Sequence, residues 1–173
     1  MQIPSMVIGG VAASVLGRPR LTQDIDVLAI LAPEDWAEAI ASGAVHGFVP
    51  RIDKALDFAH RSRVLLMRHA QSGIDIDLTF GQLTFERTAI DNSTMHDLGG
   101  VRVRLPRVED LLVMKAVARR PKDLQDIDGL LAAHPEADVD AVRRSVREFA
   151  TAAAMPDMLV EFDQLLARRG SKR

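Results

Sequence analysis

Asp24 and Asp26 stand two residues apart in Asp-Ile-Asp-Val-Leu-Ala-Ile-Leu, a run that is otherwise apolar. On a β-strand, residues i and i+2 share a face, so two carboxylates lie side by side on one surface. Burying unpaired charge is expensive. A bound divalent cation is one compensation, and hard carboxylate oxygens suit magnesium or manganese. The arrangement recurs in Gly73-Ile74-Asp75-Ile76-Asp77-Leu78. If the two strands pair, three or four carboxylates converge; two-metal phosphoryl-transfer sites hold ions about 3.5–4 Å apart, a spacing that neighbouring strands can bridge. A lone Asp-x-Asp is more often a strand end or a turn with solvated carboxylates. Two such pairs, each inside an apolar strand, tip the reading toward a metal site.

Gly9-Gly10 lies where the apolar run Ser5 to Ile8 gives way to the small residues Val11 to Leu16. Glycines at a strand-to-helix junction let the backbone approach a phosphate, and a helix N-terminus offers N–H groups to it. A plain turn explains an isolated Gly-Gly pair equally well. Arg18 and Arg20 flank this segment, either within reach of a phosphate or solvated in a loop.

Taken in order, Gly9-Gly10, a short helix, Arg20-x-Thr22-x-Asp24-Ile25-Asp26 and a later apolar-Asp-apolar strand resemble the nucleotidyltransferase fold of the polymerase-beta type. The resemblance implies a nucleoside triphosphate substrate and Mg²⁺ (or Mn²⁺) held by Asp24, Asp26 and Asp77. It puts Gly9 and Gly10 at the nucleotide phosphates, with Arg20 and Thr22 in the same binding block. Asp77 is preferred as third ligand because Ile76-Asp77-Leu78-Thr79-Phe80 fits the family's third-acid strand better; Asp75 shares its face and stays an alternative.

Further along, Leu111-Leu112-Val113-Met114-Lys115-Ala116-Val117-Ala118 and Arg119-Arg120-Pro121-Lys122-Asp123-Leu124-Gln125-Asp126 resemble the two conserved blocks of AbiEii-like nucleotidyltransferases of toxin–antitoxin systems. That likeness implies Lys115 and Lys122 on phosphates, Asp123 positioning or deprotonating an acceptor, and Asp126 supporting Lys122. The same residues have ordinary helix roles. Lys115 can snorkel to the surface. Lys122 and Asp126 form an i, i+4 pair worth about 0.2–0.5 kcal/mol, and Asp123 in the first turn after Pro121 complements the helix dipole. Members of the group carry a helix before the first strand and a longer helical C-terminal domain. Here Met1 to Pro4 and two modest helices stand in those places, which points to a minimal core.

Positioning these residues takes a definite set of elements. Strands are expected at 5–8, 25–31, 63–69 and 73–80, the last two closed by a hairpin at 70–73. Helices are expected at 11–16, from Pro33 to Gly43 or Gly47, at about 53–60 and at 85–90. Segments 95–98 and 101–105 read as a second hairpin about Gly99-Gly100. After Pro106 the period is helical, at about 107–119, 121–133, 139–153 and 156–168, before a frayed basic end at 168–173. Strands first and helices afterwards predict an α+β fold. It comprises a nucleotidyltransferase-like mixed β-sheet core flanked by helices over 1–106, and a helical C-terminal region over 107–173 packed on that core.

Composition excludes much else. The chain has no cysteine, so disulfides, thiolate metal sites and cysteine nucleophiles are out. A formal net charge of −2 does not mark a general nucleic-acid binder. Aromatic residues make up 4%, with one tryptophan and no tyrosine, few platforms for stacking single-stranded RNA. The five histidines show no ligand spacing. The N-terminus lacks the pattern of a signal peptide, and no apolar stretch approaches the roughly 20 residues of a membrane span; a cytoplasmic protein is expected. Two functions follow. One is Mg²⁺-dependent transfer of a nucleoside monophosphate to a tRNA, a protein or a small molecule. The alternative is a non-catalytic, antitoxin-like or regulatory module that binds a partner protein.

Overall fold

In the computed structural model, which describes residues 3–170, the apolar runs form one five-stranded sheet of order β1-β2-β5-β4-β3. Its strands are β1 (Ser5–Ile8), β2 (Asp24–Ala29), β3 (Phe48–Pro50), β4 (Val64–His69) and β5 (Asp75–Phe80). β2 and β5 are parallel, and every other pair is antiparallel. A parallel pair needs a long crossover. Here it is the whole segment holding α2 (Trp36–Val45), β3, α3 (Ala55–Ser62) and β4.

Alternation along the strands divides the sheet into two faces. Leu65, Met67 and Phe80 are buried with Trp36 of α2 and Ala55 and Ala59 of α3, and partly buried Ile76 and Leu78 pack against them. Trp36 stacks on Phe80 at 4.2 Å with 10° between the rings, and its Nε1–H donates to the Leu31 carbonyl at 3.1 Å. The indole is thus buried with its polar atom satisfied. Residues on the opposite pleat, Asp24, Asp26, Asp75 and Asp77 among them, face away from this core.

α4 (Thr84–Asp91) is capped by Glu86, whose carboxylate accepts the backbone N–H groups of Gln82 and Leu83 at 2.7 and 2.8 Å. A hairpin of β6 (Thr94–Leu98) and β7 (Val101–Leu105) follows, as the sequence predicts.

The chain divides into two compact units, Met1–Val11 with Leu21–Pro106, and Ala12–Arg20 with Arg107–Arg173. α1 (Gly9–Leu16) begins in the first range and ends in the second. In the second unit α5 (Val108–Ala118) packs against α6 (Pro121–Ala133), α7 (Val139–Ala152) and α8 (Asp157–Gly170). Leu111, Leu112, Ile127, Leu130, Val146 and Phe162 are buried there. Pro121 opens α6, where a missing N–H costs nothing, and Asp138 caps α7 by accepting the Ala141 N–H at 2.8 Å.

Several boundaries differ from expectation. Phe48–Pro50 is a strand, too short to show a period. The helix expected at 53–60 runs from Ala55 to Ser62. Of the two stops expected for α2, the helix passes through Gly43 and the chain turns at Gly47, whose φ is +80°. α8 continues to Gly170, so 168–170 is helix; the remainder of the expected frayed end, 171–173, lies outside the described residues. Among the described residues no helix is long and apolar enough to cross a membrane.

Candidate active site

The register of β2 on β5 pairs Asp24 with Asp75 and Asp26 with Asp77. Paired residues in neighbouring strands point to the same side, so four carboxylates share one face of the sheet. The strand pairing expected between the two Asp-x-Asp runs is therefore present, and it sets the four acids on one face.

Asp26 faces the glycine turn. Its partner in β1 is Ile8, the residue before Gly9. Gly9 has φ +63°, and a Cβ placed on it would lie 1.7 Å from Asp26 Oδ2. The absent side chain is the room that the Asp26 carboxylate occupies. Gly10 N–H donates to Asp26 Oδ2 over a long 3.4 Å. Thr22 Oγ1 donates to Asp24 Oδ1 at 3.0 Å and lies 3.2 Å from the Asp24 carbonyl, which fixes the Asp24 side chain.

Asp75 and Asp77 are bound to arginine. Arg68, paired across the sheet with Asp75, donates Nε–H and Nη2–H to its two oxygens at 2.6 and 3.1 Å. Arg51 follows β3 and extends its pairing by one residue, its N–H donating to the Leu66 carbonyl at 2.9 Å. Leu66 is the partner of Asp77, and Asp77 of Asp26. One row across four strands thus reads Arg51, Leu66, Asp77, Asp26. The Arg51 guanidinium donates Nη1–H to Asp75 Oδ2 at 2.8 Å and Nη2–H to Asp77 Oδ1. Its Nε is buried with no acceptor among the described residues, an arrangement that costs about 1–3 kcal/mol.

These neighbours separate the two candidates for third ligand. The hydrogen bond from Arg68, reinforced by Arg51, holds the Asp75 carboxyl below its ordinary range against partial burial. Burial pushes the Asp77 carboxyl up, and the charges of Asp26, Asp24 and Asp75 add to the rise while Arg51 opposes it. Asp75 accepts from three arginine donor atoms, whereas Asp77 accepts from one.

A hard divalent cation fits this donor set. The donors are carboxylate oxygens on adjacent strands, and like charges crowd Asp77. Among the described residues, however, no three of these side chains stand close enough together to hold a metal ion as they are placed. Asp26 is directed at the glycine turn, Asp24 at Thr22 and Asp77 at Arg51.

The remaining predicted site residues lie in the second unit, where Arg20, Lys115, Asp123 and Asp126 join in one ion-pair network. Lys115, 3% exposed, donates Nζ–H to Asp123 Oδ1 at 2.9 Å and meets Asp126 Oδ2 at 2.8 Å. Asp123 is wholly buried and reaches back from the third position of α6 to the Arg120 backbone N–H at 3.1 Å, as an N-terminal acid does in a capping box. Arg120 Nε–H also donates to it at 2.7 Å. Asp126 is held by Arg20, Nε–H and Nη2–H donating at 2.7 and 3.0 Å. Burial raises the Asp123 and Asp126 carboxyls, but the bonds from Arg120 and Lys115 to the one, and from Arg20 and Lys115 to the other, leave both below the ordinary range. Lys122 is exposed on the first turn of α6, outside this network.

Sequence reasoning missed Arg51. Nothing periodic marks a residue after a three-residue strand. Charge bookkeeping is the signal that could have found it, because four acids on one face require cations from the same sheet. Arg68, the one charged side chain amid Val-Leu-Leu-Met-Arg-His, carries the same hint.

Mixed sheet, flanking helices and paired strand carboxylates define a protein of the nucleotidyltransferase fold. The model of the family described as "Nucleotidyl transferase of unknown function (DUF2204)" matches residues 2–162, and the chain belongs to that family. No curated protein matches it. Among solved structures, the antibiotic-resistance factor ANT(2'')-Ia superposes with a TM-score of 0.58 over 90% of this chain and 86% of that one, at 16% identity. An antigenic nucleotidyltransferase-like protein from Paracoccidioides brasiliensis gives 0.53 over 91% and 84%, at 16% identity. The lincosamide antibiotic adenylyltransferase LnuA, with lincomycin bound, gives 0.53 over 76% and 87%, at 13% identity. At these identities the likeness shows the fold.

Proposed function

We propose that the chain is a divalent-cation-dependent nucleotidyltransferase, moving a nucleoside monophosphate from a nucleoside triphosphate to a hydroxyl group. The observation that carries this reading is the β2–β5 register, which sets Asp26 beside Asp77 on the face where Gly9 makes room for the Asp26 carboxylate. Family membership supports the same reaction class.

Asp24, Asp26 and Asp77 are the residues that would hold Mg²⁺ or Mn²⁺, with Asp75 left to Arg68. Bound there, such an ion neutralises charge on phosphoryl oxygens and lowers the pKa of a hydroxyl. Thr22 keeps the Asp24 carboxylate oriented, and Gly9 and Gly10 keep the backbone bend narrow enough to receive phosphates. The acceptor oxygen attacks the α-phosphorus in line as the bond to the bridging oxygen breaks. Pyrophosphate leaves, and the acceptor's proton passes to solvent. Catalysis by the protein is positioning and charge neutralisation. Lys115, Asp123, Asp126 and Arg20 serve as the packed ion core of the second unit.

The acceptor placed first is a small hydroxylated molecule, because ANT(2'')-Ia carries adenylyl-2''-tobramycin and LnuA binds lincomycin. The AbiEii-like motifs keep a tRNA or a partner protein as the next arms of the test.

Purified protein is incubated with each α-labelled nucleoside triphosphate and Mg²⁺, with tobramycin, lincomycin, total tRNA or cell extract as acceptor. A labelled product that vanishes in Asp26→Ala, with unchanged circular dichroism, supports the assignment. Transfer by correctly folded Asp26→Ala overturns it. Absence of product in every arm favours the antitoxin-like or regulatory module.

A further inference from the structure

Arg51 is a cation already resident on the acidic face, and we propose that it competes with the divalent ion for Asp77. This rests on the metal-site reading above and adds what regulates that site. The Arg51 guanidinium bridges Asp75 and Asp77, one Nη on each. Its hold on Asp75 is backed by Arg68, which binds the same carboxylate through two donors. Among the described residues its hold on Asp77 has no such second partner, and Asp77 is the acid that shares a row with Asp26. The two contacts are therefore unequal: Asp75 is the anchor and Asp77 the exchangeable ligand.

Geometry favours exchange over permanent pairing. Arg51 stands just past the end of a three-residue edge strand, held by a single backbone bond to Leu66 among those that extend the ladder. Its Nε is buried with no acceptor among the described residues, so the paired arrangement leaves one donor unmatched, and release from Asp77 forfeits the Nη2 bond and a charge attraction that an arriving cation replaces. An ion arriving at Asp26 and Asp77 replaces the guanidinium as counter-charge of Asp77, while Nη1 keeps Arg51 tethered to Asp75. Arg51 is thus a positioning residue. It holds Asp77 on the shared face and neutralises it until an ion takes over.

Competition lowers apparent ion affinity by the fraction of molecules in which Asp77 is released. Mn²⁺ binding to the full-length chain, without nucleotide, is measured by calorimetry for wild type, Arg51→Met, Arg51→Lys and Asp77→Asn. Arg51→Met binds Mn²⁺ about tenfold more tightly if a tenth of wild-type molecules are competent; Arg51→Lys falls between. Asp77→Asn loses the binding, which tests the site itself. Should Arg51→Met bind no tighter than wild type while Asp77→Asn loses the ion, the competition is overturned and the site reading survives. Binding unaffected by Asp77→Asn overturns both. A readout on the wild type covers the case in which the variants do not fold. In arginine-selective NMR, the Arg51 Nε resonance shifts in step with Mg²⁺ occupancy; an unmoved resonance overturns the proposal.

Discussion

Gly9 and Asp26 give the narrowest test at the scale of single residues. Gly9 is needed twice, for its φ of +63° and because its Cβ would fall 1.7 Å from Asp26 Oδ2. An L-residue in the left-handed region costs roughly 1–2 kcal/mol, and relief of the contact requires the short Asp26 side chain to rotate away. Gly9→Ala is therefore expected to lower stability by about that amount in urea unfolding and to abolish nucleotidyl transfer. The activity loss should far exceed what partial unfolding explains. A Gly9→Ala protein that transfers normally would remove Asp26 from the site. The shared face of the acids was legible in the sequence, because two Asp-x-Asp runs in apolar strands put their carboxylates on one pleat; that Asp24 and Asp75 begin their strands and that none of the four is fully buried was not. The cation that answers them was not. Arg51 joins Asp77 only through β3 and β4, a relation set by pairing across the sheet and not by spacing along the chain.

At the scale of elements, α5 and α6 are joined by the ions that the sequence motif assigned to nucleotide binding. Lys115 on α5 meets Asp123 and Asp126 on α6, and Arg120 and Arg20 complete the pairing. Breaking a buried pair by removing one partner costs about 3–5 kcal/mol. Lys115→Met leaves each acid one arginine, which places the expected loss near the lower end. The measurement is urea unfolding together with nucleotide affinity of the folded protein. A structural role predicts lost stability with unchanged affinity, while a phosphate contact predicts the reverse. A sequence cannot separate these roles, because lysine followed eight residues later by aspartate fits either. The elements were easier to read than their alliances. Long amphipathic helices and apolar strands declare themselves by period, while the three-residue β3 and the length of α2 depend on packing and on the turn at Gly47.

Acid is expected to act unevenly on the whole molecule. Asp123 and Asp126 in the second unit have carboxyls below the ordinary range. A depressed folded-state pKa contributes stability that is complete above the unfolded value of about 3.9 and is lost as pH falls through the lower folded value. The exposed pairs of Asp163 with Arg143 and of Glu161 with Arg119 act in the same sense, screened by solvent. Asp110 opposes them there, raised by burial. In the first unit the senses offset. Asp75 is lowered, but Asp77 is raised, so its ionised form is a cost at neutral pH that protonation relieves. The second unit should therefore fail first as pH falls below about 4. Two probes distinguish this outcome. Trp36 is the only tryptophan and lies in the core of the first unit, so its emission wavelength reports that unit, while ellipticity at 222 nm is dominated by helices, the longest of which belong to the second. Ellipticity is expected to fall at higher pH than the tryptophan red shift, and Asp123→Asn with Asp126→Asn should flatten the acid-side fall at the expense of stability at neutral pH. Coincident transitions in both probes would mean that the molecule unfolds as one cooperative body, with the ion network inside α5 and α6 no weaker toward acid than the sheet.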